Sequence, residues 1–311
     1  MQKVPNTLGL IELRDIPLRE IIPYIHWSYL FMAWRIPGKY EGITKAALSP
    51  EEERNWLKNL PAENKAKAEE ALKLYKDAWD MLKELENQQA LQINANVGFY
   101  QAYTEGDDII IDSGNEKIYI PTLRQQKASP EGYCYALADF INLAGDYIGV
   151  FANTVLGVEA FAKKYENEGG DVYKDLLVRM LADRLAEGTA EWLHYKIRTQ
   201  YWGYAPDEPE DINEMFKVHY QGIRPAVGYP SLPDQSVIFD LDPLIQFNEM
   251  GIRLTEHGAM SPNASVCGLI FSHPQSKYFV VGKIDEEQLL DYARRRNKSP
   301  EEMRKWLSAN L

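Results

Sequence analysis

The sequence contains little cysteine and few histidines. Its two cysteines, Cys134 and Cys267, are far apart, and neither has a second thiol or a histidine at metal-ligand spacing. This pattern argues against a disulfide framework and against a zinc site, so we predict no metal-binding residues and a reducing, cytoplasmic location. The five histidines show no spacing that favours a histidine-centred catalytic pair.

An excess of positive charge is also absent. Acidic residues outnumber basic ones 46 to 34, which gives a formal net charge of -12. Such a charge repels phosphate backbones unless basic groups are segregated. The one dense basic run, Arg294 to Arg296, lies beside Asp291 and Glu301 and is interpreted as a solvated helix face. We therefore expect no nucleic-acid partner.

Long apolar runs are missing as well. The longest apolar region, residues 137–162, is interrupted by Asp139, Asn142, Asp146 and Glu159, too many polar groups for a lipid-spanning helix. No basic segment followed by an apolar stretch opens the chain, so neither a secretory signal nor a membrane partner is expected.

Familiar catalytic signatures are absent too. The sequence has no GxGxxG, P-loop, HExxH, GxSxG or paired CxxC motif. We accordingly predict no catalytic residue.

Periodicity predicts a mainly helical first part and a mixed remainder. Helix caps are expected at Ser49, Asp285 and Ser299, each followed three residues later by a glutamate or glutamine. Predicted helices cover 131–165 and 172–201, and predicted strands cover 97–104, 108–112, 117–123, 265–271 and 278–284. In the predicted helix over 172–201, the side chains of Asp183, Glu187 and Glu191 share one face.

The segment from Tyr220 to Asp234 is the most informative part of a long loop rich in proline, glycine and aspartate. Its prolines and glycines favour an extended, rigid backbone from which one arginine and one tyrosine project. Arg224 in such a frame could bind a ligand carboxylate bidentately. Equally, the loop could be structural, with its arginine paired to an internal acid.

Several motifs, in order along nearly the whole chain, resemble one known family. They include GKY at 38–40, LRQQ at 123–126, LADF at 137–140, DYIG at 146–149, ADRLAE at 182–187, YWGYAP at 201–206, GIRPA at 222–226, SPNASV at 261–266, FSHP at 271–274, SKYF at 276–279 and DYARR at 291–295. The chain thus resembles the activation domain of vitamin B12-dependent methionine synthase.

That resemblance implies the fold and the chemistry. It implies a single C-shaped α+β domain over residues 1–311, with a bent antiparallel sheet flanked by helices and a helical portion over about residues 1–90. It also implies that S-adenosylmethionine binds in a shallow groove and methylates cob(I)alamin held by a partner, the corrinoid-binding modules of methionine synthase. Flavodoxin or another reductase would supply one electron. Placement of the ligand would be the chain's contribution.

The family's ligand groups fall on identifiable positions. By the resemblance, Arg224 takes the methionyl carboxylate and the Tyr278 region takes the nucleoside or sulfonium end. The remaining positions are the loop residues Pro225, Ala226, Gly228 and Tyr229 for adenosine, together with Phe279 and the acidic Glu187. For Tyr278 alone, packing in the core is the competing interpretation.

Three departures from the family pattern bear on function. His26 occupies the position of an aspartate that receives the ligand's ammonium, and an imidazole cannot replace that carboxylate. Val227 replaces a loop proline, and a short deletion follows Asp234. Two functions therefore stay open: a free-standing reactivation subunit of a split methionine synthase or related corrinoid methyltransferase, and a non-catalytic docking or shielding module that has lost the ligand.

Overall fold

The computed structural model describes residues 3–167 and 170–311, which combine helices with antiparallel strands. The described chain divides into two compact units, one of residues 3–14, 94–154 and 190–311 and one of residues 15–93 and 155–189. In chain order the elements are β1 (Gly9–Leu13), α1 (Leu18–Ile21), α2 (Trp27–Ala33), α3 (Ile43–Ala46), α4 (Pro50–Asn59), α5 (Ala62–Asn87), β2 (Gln92–Glu105), β3 (Asp108–Asp112), β4 (Lys117–Pro121), β5 (Asp146–Leu156), α6 (Val158–Asn167), α7 (Val172–Lys196), α8 (Ile212–Phe216), α9 (Val237–Ile245), β6 (Arg253–Leu254), β7 (Met260–Ser261), β8 (Ser265–Ile270), α10 (Glu286–Arg295) and α11 (Pro300–Trp306).

The sheet of the first unit is open and antiparallel. Its strand order is β4-β3-β2-β5-β8, and β1 also pairs with β2. The predicted meander is confirmed, with β2 and β3 joined by a tight turn at Gly106, whose φ is +60°. The α+β class of the sequence prediction is therefore correct.

One face of this sheet is covered by α9, α10 and α11. Apolar side chains of the sheet and these helices form a single buried core that includes Ile109, Leu241 and Leu289. The buried Asn96 and the partly buried Tyr100 cap the end of α9 by donating to the carbonyls of Ile245 and Leu244, at 2.8 and 2.7 Å. These bonds use carbonyls that a helix end leaves unpaired.

The second unit is mainly helical. Its long helix α5 buries an apolar stripe that includes Leu72, Tyr75 and Leu82, as the three-four spacing predicts. Trp27 packs edge-on against Tyr75, with ring centroids 4.7 Å apart. The predicted helix cap at Ser49 is confirmed, because its hydroxyl accepts from the Glu52 amide at 3.2 Å. The caps at Asp285 and Ser299, in the first unit, are confirmed in the same way.

Two predicted elements are wrong. Residues 131–165 were expected to be helical, but residues 146–156 form β5. Nearly every residue of β5 is buried. Its sequence therefore lacks the alternation of apolar and polar residues that identifies a half-exposed strand. Residues 278–284, predicted to be a strand, form no strand ladder. Their backbone instead bonds to single groups, such as the carbonyl of Pro230, which accepts from the Val281 amide at 2.9 Å.

Candidate ligand site

The loop that carries Arg224 continues the sheet beyond β8. The Ile223 amide donates to the Phe271 carbonyl at 3.0 Å, and the Phe271 amide donates back at 2.9 Å. Pro225 contributes only its carbonyl, which accepts from the Leu269 amide at 3.0 Å, because a proline nitrogen carries no proton. An irregular sequence is thus held as an edge strand.

Val227 keeps this edge strand attached at its far end. Its amide donates to the Cys267 carbonyl at 2.9 Å. The proline expected at this position from the family pattern could not make that bond. The hydrogen bond therefore restrains the backbone where the ring of a proline would otherwise do so.

The loop then turns sharply and exposes an aromatic ring. Gly228 adopts a φ of +83°, and its amide donates to the Leu232 carbonyl at 2.8 Å, which closes the turn. Tyr229, at the tip of this turn, is 52% exposed, whereas Pro225 and Ala226 are buried. Tyr229 is thus the aromatic side chain that this loop presents to solvent.

Arg224 lies at the centre of the loop and has two partners. Its Nη2 donates to Oε2 of Glu191 at 2.7 Å, and its backbone amide donates to the Tyr278 hydroxyl at 2.9 Å. Burial alone would lower the pKa of this guanidinium, but the charge of Glu191 and the neighbouring tyrosines raise it, so Arg224 stays charged. The structural interpretation was right that Arg224 pairs with an internal acid. However, 15% of its side chain still reaches solvent.

Tyr278 and Phe279 differ in their exposure to solvent. Tyr278 is 42% exposed, so the interpretation of Tyr278 as a core residue is wrong. Phe279 is buried, and its ring lies 6.0 Å from the ring of Tyr135 and 6.3 Å from that of Phe140. Its backbone carbonyl accepts from the Ser231 hydroxyl, which ties this segment to the loop. Tyr278, rather than Phe279, offers an accessible ring.

The end of the loop is anchored by a buried polar cluster that the sequence analysis missed. Asp234 accepts from the Tyr292 hydroxyl at 2.9 Å and from the Ser236 amide at 2.9 Å, and Arg296 Nε lies 3.2 Å from it. The interpretation of residues 294–296 as a solvated face is therefore wrong for two of the three. Arg296 is 4% exposed, and the largely buried Arg295 pairs with Asp108 and Asp291.

A second buried polar cluster lies around the end of α7. Arg198, in a π-helical turn at residues 197–201, is fully buried and binds Glu208 through Nε at 2.8 Å and Nη2 at 2.6 Å. Its guanidinium also lies 4.0 Å from the centre of the Tyr220 ring. His194 is buried as well, with Nε2 3.4 Å from the Tyr204 hydroxyl. Burial, followed by the charges of Arg198 and Arg224, lowers the pKa of His194 well below 6.5.

The depressed pKa of His194 predicts a loss of stability in mild acid. Below pH 6.5 the unfolded chain binds a proton at this histidine and the folded chain does not. The free energy of unfolding therefore falls as the pH drops from 6.5 towards the folded pKa, by about 1 kcal/mol between pH 7 and 5.5. Urea unfolding at both pH values should show this loss reduced in His194→Gln but unchanged in His257→Gln, an exposed control. An equal loss in wild type and His194→Gln would contradict the assignment.

Glu187 and His26 belong to the second unit. Glu187 is partly buried on α7, and its charge adds to the burial that raises the pKa of Asp183. His26 occupies the N-cap position of α2, and its ring lies 4.7 Å from that of Tyr29. The structure thus brings Arg224, Tyr278 and Glu191 together in one cluster within the first unit. The ligand-binding roles of the predicted site residues, Glu187 and His26 included, stay predictions.

The described residues show neither a metal cluster nor a membrane span. No three His, Cys, Asp or Glu side chains within residues 3–167 and 170–311 converge in a way that could hold a metal ion. No helix in that part of the chain is long and apolar enough to cross a membrane.

Comparison with known proteins identifies a family and a similar solved structure. Residues 17–297 match the family model described as vitamin B12 dependent methionine synthase, activation domain. A crystal structure of a MetH reactivation domain bound to AdoHcy is 38% identical, with a TM-score of 0.87. The alignment covers 100% of this chain and 93% of that one.

Proposed function

Because the chain belongs to the family of vitamin B12-dependent methionine synthase activation domains, we propose that it binds S-adenosylmethionine and presents its methyl group to a corrinoid held by a partner. The observation that carries the proposal is Arg224, a charged arginine whose side chain is 15% exposed and which lies in a loop that is hydrogen-bonded to β8. The solved relative binds AdoHcy, the product left when S-adenosylmethionine loses its methyl group.

The positions of the rings agree with such a ligand. Arg224 matches the carboxylate of the methionyl part, while the exposed rings of Tyr229 and Tyr278 can pack on the nucleoside or face the sulfonium. The hydrogen bond from the Arg224 amide to the Tyr278 hydroxyl holds these two residues next to each other. The groups proposed for the carboxylate end and for the nucleoside or sulfonium end of the ligand are therefore neighbours. Pro225, Ala226 and Gly228 provide the backbone between them.

The chain's own contribution is placement. The corrinoid supplies a strong nucleophile once a reductase such as flavodoxin has delivered one electron, and the sulfonium is a good leaving group. The protein need only hold the methyl group in line and exclude competing orientations. We therefore assign no general acid or base, and we propose a corrinoid-bearing methionine synthase or a related methyltransferase as the partner of a split enzyme.

Binding of the ligand tests this function directly. Titration calorimetry with AdoHcy and with S-adenosylmethionine should give a dissociation constant below about 1 mM for each, or about 4 kcal/mol of binding free energy. Saturating AdoHcy should also raise the unfolding temperature, since the ligand binds only the folded chain. Absence of binding at millimolar ligand would overturn the proposal.

The second candidate function is a docking or shielding module without the ligand. His26 is the observation that favours it, since a histidine cannot offer a negative charge to the ligand's ammonium. This function predicts capture of a corrinoid-bearing partner that is indifferent to S-adenosylmethionine. Ligand-dependent capture in a pull-down would decide for the first function.

A further inference from the structure

Several buried polar atoms without partners lie at the end of α7 and in the turn that follows it, in the loop, and just after β8. Among the residues that the structure describes, these are Oε1 of Glu191, Nδ1 of His194, Nη1 of Arg198, Nε of Arg224 and Oγ of Ser272. Buried polar atoms are nearly always hydrogen-bonded, and exceptions call for an explanation. Two of the five belong to one ion pair, that of Glu191 with Arg224.

The two arginine-glutamate pairs of this cluster differ in a way that indicates different roles. Arg198 is 0% exposed, and Glu208 binds both its Nε and its Nη2. Arg224 gives Glu191 only Nη2, leaves Nε without a partner and is 15% exposed. We call the first pair closed, because its arginine is fully buried and held at two nitrogens. Each arginine also has one buried nitrogen without a partner, so the pairs differ in the number of bonds to glutamate and in the part of the Arg224 side chain that reaches solvent.

We propose that Glu191 is a positioning residue, which holds the Arg224 guanidinium in the orientation that receives a ligand carboxylate and does not itself touch the ligand. The proposal rests on the proposed function and names the residue that prepares its site. Methyl transfer to the corrinoid needs no charge from Glu191. Substitution of Glu191 should therefore change the affinity for the ligand.

Physical reasons support this role. An arginine side chain has several rotatable bonds, and the entropy of fixing it opposes binding unless the free protein has already done so. Glu191 projects from a helix and therefore offers a rigid anchor, 2.7 Å from Nη2. Its second oxygen, Oε1, is buried, and a ligand carboxylate is repelled by the charge of Glu191 and attracted by that of Arg224. The ligand would meet the arginine and not the glutamate.

The test uses three ligands and two matched variants. AdoHcy carries a carboxylate and an ammonium, its deaminated analogue keeps only the carboxylate, and methylthioadenosine has neither. For Glu191→Gln we expect affinity to fall about tenfold for the two carboxylate-bearing ligands, the size of one charge-assisted hydrogen bond, and to stay the same for methylthioadenosine. Glu208→Gln removes the carboxylate of the closed pair and should leave all three affinities at the wild-type value.

Several results would overturn the inference. They are unchanged affinities in Glu191→Gln, an equal loss for all three ligands, or a loss confined to the ligand with an ammonium, which would indicate direct contact. If Glu191→Gln fails to fold, Glu191→Asp, which keeps the charge but shortens its reach, should show the same selectivity for carboxylate-bearing ligands. Failure of wild type to bind AdoHcy would instead refute the proposed function.

Discussion

Replacement of Arg224 with glutamine is expected to weaken AdoHcy binding by about a hundredfold or more. A bidentate, charge-assisted contact to the ligand carboxylate is lost, and truncating one member of such a pair costs roughly 2–5 kcal/mol. Methylthioadenosine has no carboxylate and should lose much less affinity. Titration calorimetry of both ligands measures the difference.

The variant also leaves Glu191 as an unpaired charge in a largely buried position, so it should lower the free energy of unfolding. Arg224→Lys separates the two effects, because it keeps the charge and loses the planar fork that binds a carboxylate at two points. Arg253→Gln, at an exposed arginine, controls for removal of one positive charge. Wild-type affinity in Arg224→Gln would show that the carboxylate binds elsewhere.

The sequence predicted correctly those features that depend on a few neighbouring residues, such as helix caps and tight turns. The helix caps at Ser49, Asp285 and Ser299 and the turn at Gly106 were correct, since each depends on neighbours along the chain. The strand β5 was predicted wrongly because burial on both faces removes the alternating pattern. Its identity depends on pairing with β8, more than a hundred residues away in the chain.

The sequence indicated which residue types form the candidate site, but not which residues contact one another there. The motif around Arg224 predicted a ligand role for the arginine, the family resemblance predicted one for Tyr278, and the acidic face of α7 included Glu191. Nothing local joined Glu191 to Arg224, since 33 positions separate them. Likewise, the run of arginines at 294–296 has the composition of a solvated face, and only tertiary structure brings Arg296 to Asp234.

Replacement of Gly268 with alanine is expected to detach the loop from the sheet. A Cβ at this position would overlap the Pro225 carbonyl oxygen and lie 2.9 Å from both Ala226 Cα and the Phe151 ring. Two of these contacts are backbone atoms of the loop, which cannot rotate away as a side chain does. The loop must therefore move off β8, which should lower the free energy of unfolding by about 2–3 kcal/mol.

The same displacement should also carry Arg224 away from Glu191 and Tyr278, so the folded variant should lose at least about tenfold in AdoHcy affinity. Gly149→Ala is the matched control, because it adds a methyl group to the adjacent strand β5, where it meets only side chains of Ile270 and Phe99. That control can destabilise the sheet but should keep the affinity of the wild type. Urea unfolding and calorimetry on both variants distinguish the outcomes. Equal affinities in the two variants would mean that pairing of the loop with β8 does not set the position of Arg224.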